Sequence, residues 1–153
     1  MRIADVRPTD DDRFSATHVV VLEEDGGGDA VLPIWVDTSE ALALVATLEA
    51  VALPRPGTYA FAAALLGAAG GAVAGVSISL LEGGVFYAVV ALEGGASLDA
   101  RPSDALNLAL LAGAPITVDP AVLAAATEPW PSADGGRGAP VLAAALRERI
   151  AGA

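Results

Sequence analysis

The chain has 153 residues, long enough for one domain with a sizeable core. It carries 8 basic and 19 acidic residues for a net charge of −11, every base is arginine, and there is no cysteine. This balance excludes a broad basic footprint of the kind that neutralises phosphates along a nucleic acid, and the missing thiols exclude disulfides, thiolate zinc sites and a cysteine nucleophile.

In chain order, Ile3 to Arg7 predicts a short edge strand, and an acidic turn follows over Pro8 to Arg13. Eight of the nineteen acids fall in the first 29 residues, so this part carries much of the repulsion that a polyanion would meet. The N-terminal stretch lacks the apolar run of a secretion signal, and a cytoplasmic setting is expected. Thr17 to Glu23 and Ala30 to Val36 are β-rich runs on either side of a Gly-rich turn, Glu24 to Asp29, and read as a hairpin. His18 is the lone histidine; in an apolar strand it reads as a packed residue, and one imidazole makes no His-rich metal site. Gly26-Gly27-Gly28 has no Lys-Ser or Lys-Thr follower and is not a phosphate loop.

Thr38 or Ser39 offers an N-cap, and Glu40 an acid in the first turn, for a helix reaching about Val51, where Pro54 and Pro56 stop it. A second helix begins at Thr58 and ends at Gly70-Gly71. Three strands, Val73 to Leu81, Val85 to Leu92 and Ala96 to Ala100, are separated by Glu82-Gly83-Gly84 and Glu93-Gly94-Gly95 and predict an antiparallel meander. Pro102 suits the first position of a third helix that runs to Ala112 and is ended by Gly113. A short strand over Pro115 to Val118, a brief helix from Pro120, a loop over Thr127 to Ala139 and a final helix over Val141 to Ile150 complete the chain.

Strands, then helices, then strands specify an α+β single domain, with a mixed, largely antiparallel sheet wrapped by apolar helices. Residues 56 to 81 lack any charge, but Gly67, Gly70, Gly71 and Gly75 interrupt them. The pattern then alternates, Val76, Ile78 and Leu80 against Ser77 and Ser79, so no membrane span is expected. The second helix is uncharged and the third shows only Ser103, Asp104 and Asn107 as polar positions. Helices apolar all round are buried, and three of them exceed what a small interior offers, which predicts a homo-oligomer.

The polar cluster Asp99-Ala100-Arg101-Pro102-Ser103-Asp104 stands out in this setting. A strand-to-helix connection there is expected to bring Asp99 and Asp104 together, and paired carboxylates can hold Mg²⁺ or Mn²⁺, which clamps a phosphate and activates water. Arg101 supplies a fork matched to phosphate oxygens, and the helix N-terminus supplies amide donors. The plainer reading of the same residues is architectural: Asp104 complements the helix dipole, Ser103 caps, and Arg101 pairs with Asp99. Glu40, after Trp35 and Asp37 at another strand-to-helix junction, is a third carboxylate or a helix-start acid. Arg55, held between two prolines, positions an anion or forms a surface salt bridge.

The segments LPIWVDTSEALALVATLEAV, PRPGTY, GGVFYAVV and DARPSDALNLALLAGAPITV occur in this order, and together they resemble the bifunctional nuclease domain, also catalogued as a domain of unknown function. The resemblance covers roughly residues 17 to 126, and DARPSDAL is its most specific piece. It implies an α+β fold with a mixed sheet wrapped by helices, oligomers, and activity on both DNA and RNA. Carried onto this chain, it implies catalytic roles for Asp99, Arg101 and Asp104, substrate binding by Arg55, Ser103 and Glu40, and a divalent cation on Asp99 and Asp104. The chain departs from the family pattern at Thr58-Tyr59-Ala60, where members commonly read Thr-His-Asp. A histidine and a carboxylate are lost there, which impairs catalysis if those side chains take part. Residues 1–126 are thus expected to form the nuclease-like domain and 127–153 a C-terminal extension without an assigned role. The expected function is metal-assisted hydrolysis of DNA or RNA phosphodiesters; the alternative is a non-enzymatic oligomeric module that binds a small ligand or a protein partner.

Overall fold

The computed structural model describes residues 1–9, 18–26, 28, 30–126 and 138–152. Most of the expected acidic turn and residues 127–137 of the expected loop lie outside them. The fold is α+β, but its strands divide between two sheets in two compact units. One unit comprises Arg2–Arg55 and Pro129–Ala153, the other Met1 and Pro56–Glu128.

In the first unit, β1 (Arg2–Pro8), β2 (His18–Glu23) and β3 (Val31–Val36) form an antiparallel sheet in that order. The helices α1 (Thr38–Leu48) and α5 (Gly138–Ala151) belong to the same unit. The central strand is buried from His18 to Leu22, as its continuous apolar run requires. Val19, Val20, Leu22, Leu32, Leu44 and Val45 form the core of the unit, where α1 packs on β1 and β2. The N-cap of α1 is Asp37, not Thr38 or Ser39, and its side chain makes no capping bond. Val51 N–H closes the end of α1 on the Ala46 carbonyl. Gly138 and Ala139, expected in a loop, open α5 instead, for a reason found on β1. A register shift between Ile3 and Asp5 breaks the alternation of the strand, so Asp5 and Val6 are buried in succession. The Asp5 carboxylate accepts from the N–H groups of Val6 (2.9 Å), Gly138 (3.0 Å) and Ala139 (3.0 Å), and so satisfies donors at the start of α5 that have no partner within the helix. Gly138 approaches so closely that a Cβ there would lie 2.7 Å from the Val6 carbonyl oxygen. At the other end of this contact, Arg147 on α5 donates to the Glu49 carbonyl that ends α1 (2.8 Å).

In the second unit, β4 (Val73–Glu82), β5 (Val85–Leu92), β6 (Ser97–Ala100) and β7 (Ile116–Val118) make a mixed sheet of order β6-β5-β4-β7, with only β4 and β7 parallel. The helices α2 (Thr58–Ala68), α3 (Pro102–Ala112) and α4 (Pro120–Ala125) accompany it. Gly83 and Gly84, with φ of 58° and 81°, make the tight β4–β5 turn. Pro102 opens α3 and Gly113, at φ 62°, ends it, as the sequence predicts. Val76, Ile78, Ala88 and Val90 share the buried face of the sheet. The helix α3 packs on β4 and β5 through its buried residues Ala105, Leu106 and Ala109. The helix α2 is uncharged, yet none of its residues is buried within the single chain, and Phe61 and Leu65 are 63% and 61% exposed. Among the described residues no helix is long and apolar enough to cross a membrane.

Two outcomes follow from the first unit. Asp5→Ala is expected to lower the unfolding free energy by about 2 kcal/mol in urea melts. Hydrogen exchange at the Gly138 and Ala139 amides should accelerate in the same variant. Burial of His18 at the start of β2 holds its pKa below the ordinary 6.5. The unfolded chain therefore binds this proton more readily, and stability is lost as pH falls below about 6.5. The thermal midpoint should rise between about pH 5 and 7, and His18→Gln should flatten that rise.

Candidate functional site

The hexapeptide from Asp99 to Asp104 joins β6 to α3, and its backbone explains where each side chain goes. Arg101 is the N-cap residue, extended at φ −69° and ψ 148°, and its carbonyl accepts from the N–H groups of Asp104 and Ala105. Pro102 needs no partner at the next position because it has no N–H. Asp104 then falls in the first turn of α3, where a negative charge complements the helix dipole.

The guanidinium of Arg101 folds back onto Asp104 as a two-pronged pair: Nε donates to Oδ2 at 2.9 Å and Nη2 to Oδ1 at 2.9 Å. From α2, the Tyr59 hydroxyl donates to Oδ1 at 2.8 Å. Arg101 is 62% and Asp104 31% exposed, so the cluster reaches the surface. The hydrogen bonds from Arg101 hold the Asp104 pKa below its ordinary value; burial pulls the other way, while the Tyr59 bond and the Arg101 charge add to the lowering. A carboxylate so stabilised as an anion is a weak proton acceptor, suited to orienting Arg101 more than to acting as a general base.

The other expected site residues are placed differently. Asp99 pairs with Val89, and Val89 with Ser77, in the row that alternates with buried Ala88 and Val90. Since α3 packs on β5 and covers that buried row, Asp99 lies on the opposite face of the sheet and is exposed. The two carboxylates are thus not brought together, and the partner of Arg101 is Asp104, not Asp99. Ser103 is buried on the inner side of α3, where its carbonyl accepts from Asn107 Nδ2 at 2.9 Å, and the N-cap position belongs to Arg101, not to Ser103. Glu40 and Arg55 belong to the first unit: Glu40 is buried and accepts from the Ser39 hydroxyl at 2.7 Å, and Arg55 is exposed between its prolines.

This donor set does not fit a resident divalent cation. Oδ1 of Asp104 already accepts two hydrogen bonds and Oδ2 one. Among the described residues no group of three or more His, Cys, Asp or Glu could hold a metal ion. The residue missed by sequence reasoning as a member of the cluster is Tyr59. It stands 45 positions from Asp104, and no spacing rule links them.

Because Asp104 gains its partners as an anion, its contribution to stability is present above the ordinary 3.8 and is lost as pH falls through the lower folded value. The difference in unfolding free energy between wild type and Asp104→Asn should therefore be constant at neutral pH and shrink below about pH 4, as read by denaturant melts across pH.

The model of the bifunctional nuclease domain matches residues 20–130. Two uncharacterised proteins of Mycobacterium tuberculosis strains are 40% identical over 107 residues, covering 70% of this chain and 65% of theirs. Bifunctional nuclease 1 of Oryza sativa subsp. japonica is 33% identical over 108 residues, covering 67% of this chain and 33% of that protein. The chain thus spans less than two thirds of the length of the relatives that it matches. The matched region contains most of β2, every element from β3 to α4 and the whole Asp99 to Asp104 connection, and on that extent the chain belongs to the bifunctional nuclease domain family.

Proposed function

We propose that the protein is a cytoplasmic nuclease that hydrolyses phosphodiester bonds of DNA or RNA at the start of α3. The observation that carries this reading is the exposed Arg101 guanidinium, clamped by Asp104 within the segment matched by the family. A guanidinium fixed in this way is matched to the oxygens of a phosphate and stabilises the charge that develops on them as water attacks phosphorus. Asp104 keeps Arg101 in place, and the N-terminal dipole of α3 favours the same anion. No step is assigned to a cation. The metal dependence expected from the family resemblance, with Asp99 and Asp104 as ligands, is a variable of the assay.

The net charge of −11 favours unpaired single strands over duplex as substrate, because their charge density and the repulsion that they meet are lower. We further infer a homo-oligomer, in which the exposed Phe61 and Leu65 face of α2 is covered. The second reading, a binding module without catalysis, draws on the same exposed helix and on Tyr59-Ala60 in place of the family's His-Asp pair.

Purified protein should cleave a labelled single-stranded oligonucleotide, with Mg²⁺ or Mn²⁺ added and with chelator as the comparison. Arg101→Ala and Asp104→Asn should each reduce the rate at least tenfold. Cleavage by Asp104→Asn at the wild-type rate would overturn the site, and no cleavage by wild type under any of these conditions would favour the binding module. Light scattering at micromolar concentration should give a mass above the 15.1 kDa of one chain; a monomer would exclude the oligomer.

A further inference from the structure

We propose that Tyr59 is a positioning residue of this site: its hydroxyl pins Asp104, and through Asp104 the Arg101 guanidinium, in the orientation that meets a phosphate. The inference rests on the nuclease reading for what Arg101 does, and on geometry alone for how Arg101 is held.

The pair of Arg101 and Asp104 is closed within one helical turn, three residues apart, with Arg101 exposed and Asp104 partly so. Such a surface pair is weak by itself, because two mobile side chains are ordered against competing water. Both partners also sit on the same short stretch of backbone, so their pairing does not by itself tie them to another element. Tyr59 changes this because it comes from α2. Its hydroxyl reaches Oδ1 at 2.8 Å, on the oxygen that also accepts from Arg101 Nη2, and so ties the ion pair to a second helix. A tyrosine suits the task. Its ring has two side-chain torsions, against four in arginine, and it donates without adding charge, so Asp104 stays an anion and still balances Arg101. Tyr59 lies in the first turn of α2, after an N-cap Gly57 that has no side chain, and α2 and α3 pack against each other. The contact lies within one compact unit.

The test is Tyr59→Phe, which keeps the ring and removes the hydroxyl, beside Asp104→Asn and the double variant. With a single-stranded oligonucleotide as substrate, Tyr59→Phe should lower kcat about tenfold and change KM less than about twofold, because a misaligned guanidinium fails chiefly at the transition state. The double variant should be no slower than Asp104→Asn alone, since both changes release the same arginine. Independently of catalysis, the Arg101 Nε–H resonance should be sharp and slow to exchange in wild type, and broadened in Tyr59→Phe. An unchanged resonance overturns the inference whether or not the protein cleaves nucleic acid. Losses that multiply in the double variant, or a wild-type rate in Tyr59→Phe, overturn it as well. A covalent oligonucleotide adduct on Tyr59 would make that hydroxyl a nucleophile and likewise overturn the positioning role. If wild type cleaves nothing while the resonance responds as expected, the nuclease reading falls and the positioning of Arg101 by Tyr59 stands.

Discussion

The Asp104 carboxylate accepts three hydrogen bonds from two helices, and the candidate site is built around it. Two of the donors belong to Arg101, whose backbone caps α3, and the third belongs to Tyr59 on α2. The carboxylate holds the exposed guanidinium through two hydrogen bonds and adds a polar tie between α2 and α3. With it, a positive charge has a fixed address at a helix N-terminus, in a chain whose overall charge repels the anions that it would bind. Local geometry thus works against the global field, and only local geometry can, because the field of −11 is spread over the surface while a clamped guanidinium acts within a few ångströms.

The first unit uses the same device for a different end. Asp5 is buried, and a carboxylate out of water must be satisfied by donors. Three backbone N–H groups supply them, two from the start of α5, more than 130 residues away in sequence. There the carboxylate closes the unit and reaches no surface. Asp5 also pairs with an arginine, Arg7 Nε lying 3.3 Å from Oδ2, so the contrast between Asp5 and Asp104 is one of exposure. Burial makes the first an architectural joint, whereas exposed Arg101 leaves a charged group turned to solvent, where a ligand can meet it.

The placement of the polar residues also reshapes the expected chemistry. A pair of Asp99 and Asp104 would have offered a cation two carboxylates, but strand pairing sends Asp99 to the far face of the sheet. Asp104, committed to hydrogen bonds and held as an anion, is left as an orienting group. The Tyr59 hydroxyl, reaching in from α2, enters the cluster as a third donor to Asp104.

Much was legible in the residues alone. The Gly-Gly turns between β4, β5 and β6, Pro102 and Gly113 at the two ends of α3, and the alternation of Val76 and Ile78 with the serines act within a few residues, and local signals of that range fixed the elements and the α+β class. The four segments that end with the one holding Asp99 to Asp104 were likewise enough to identify the family. What the sequence did not determine was everything that depends on register or on distant partners. A one-residue step along β6 decides which face Asp99 takes, the bulge in β1 turns Asp5 inward, and the Tyr59 bond joins positions 45 apart. Side-chain period reports which faces a strand has, but not which of them a helix will cover. That choice belongs to the packing of α3 on its sheet, and it determined which of the polar residues became a site.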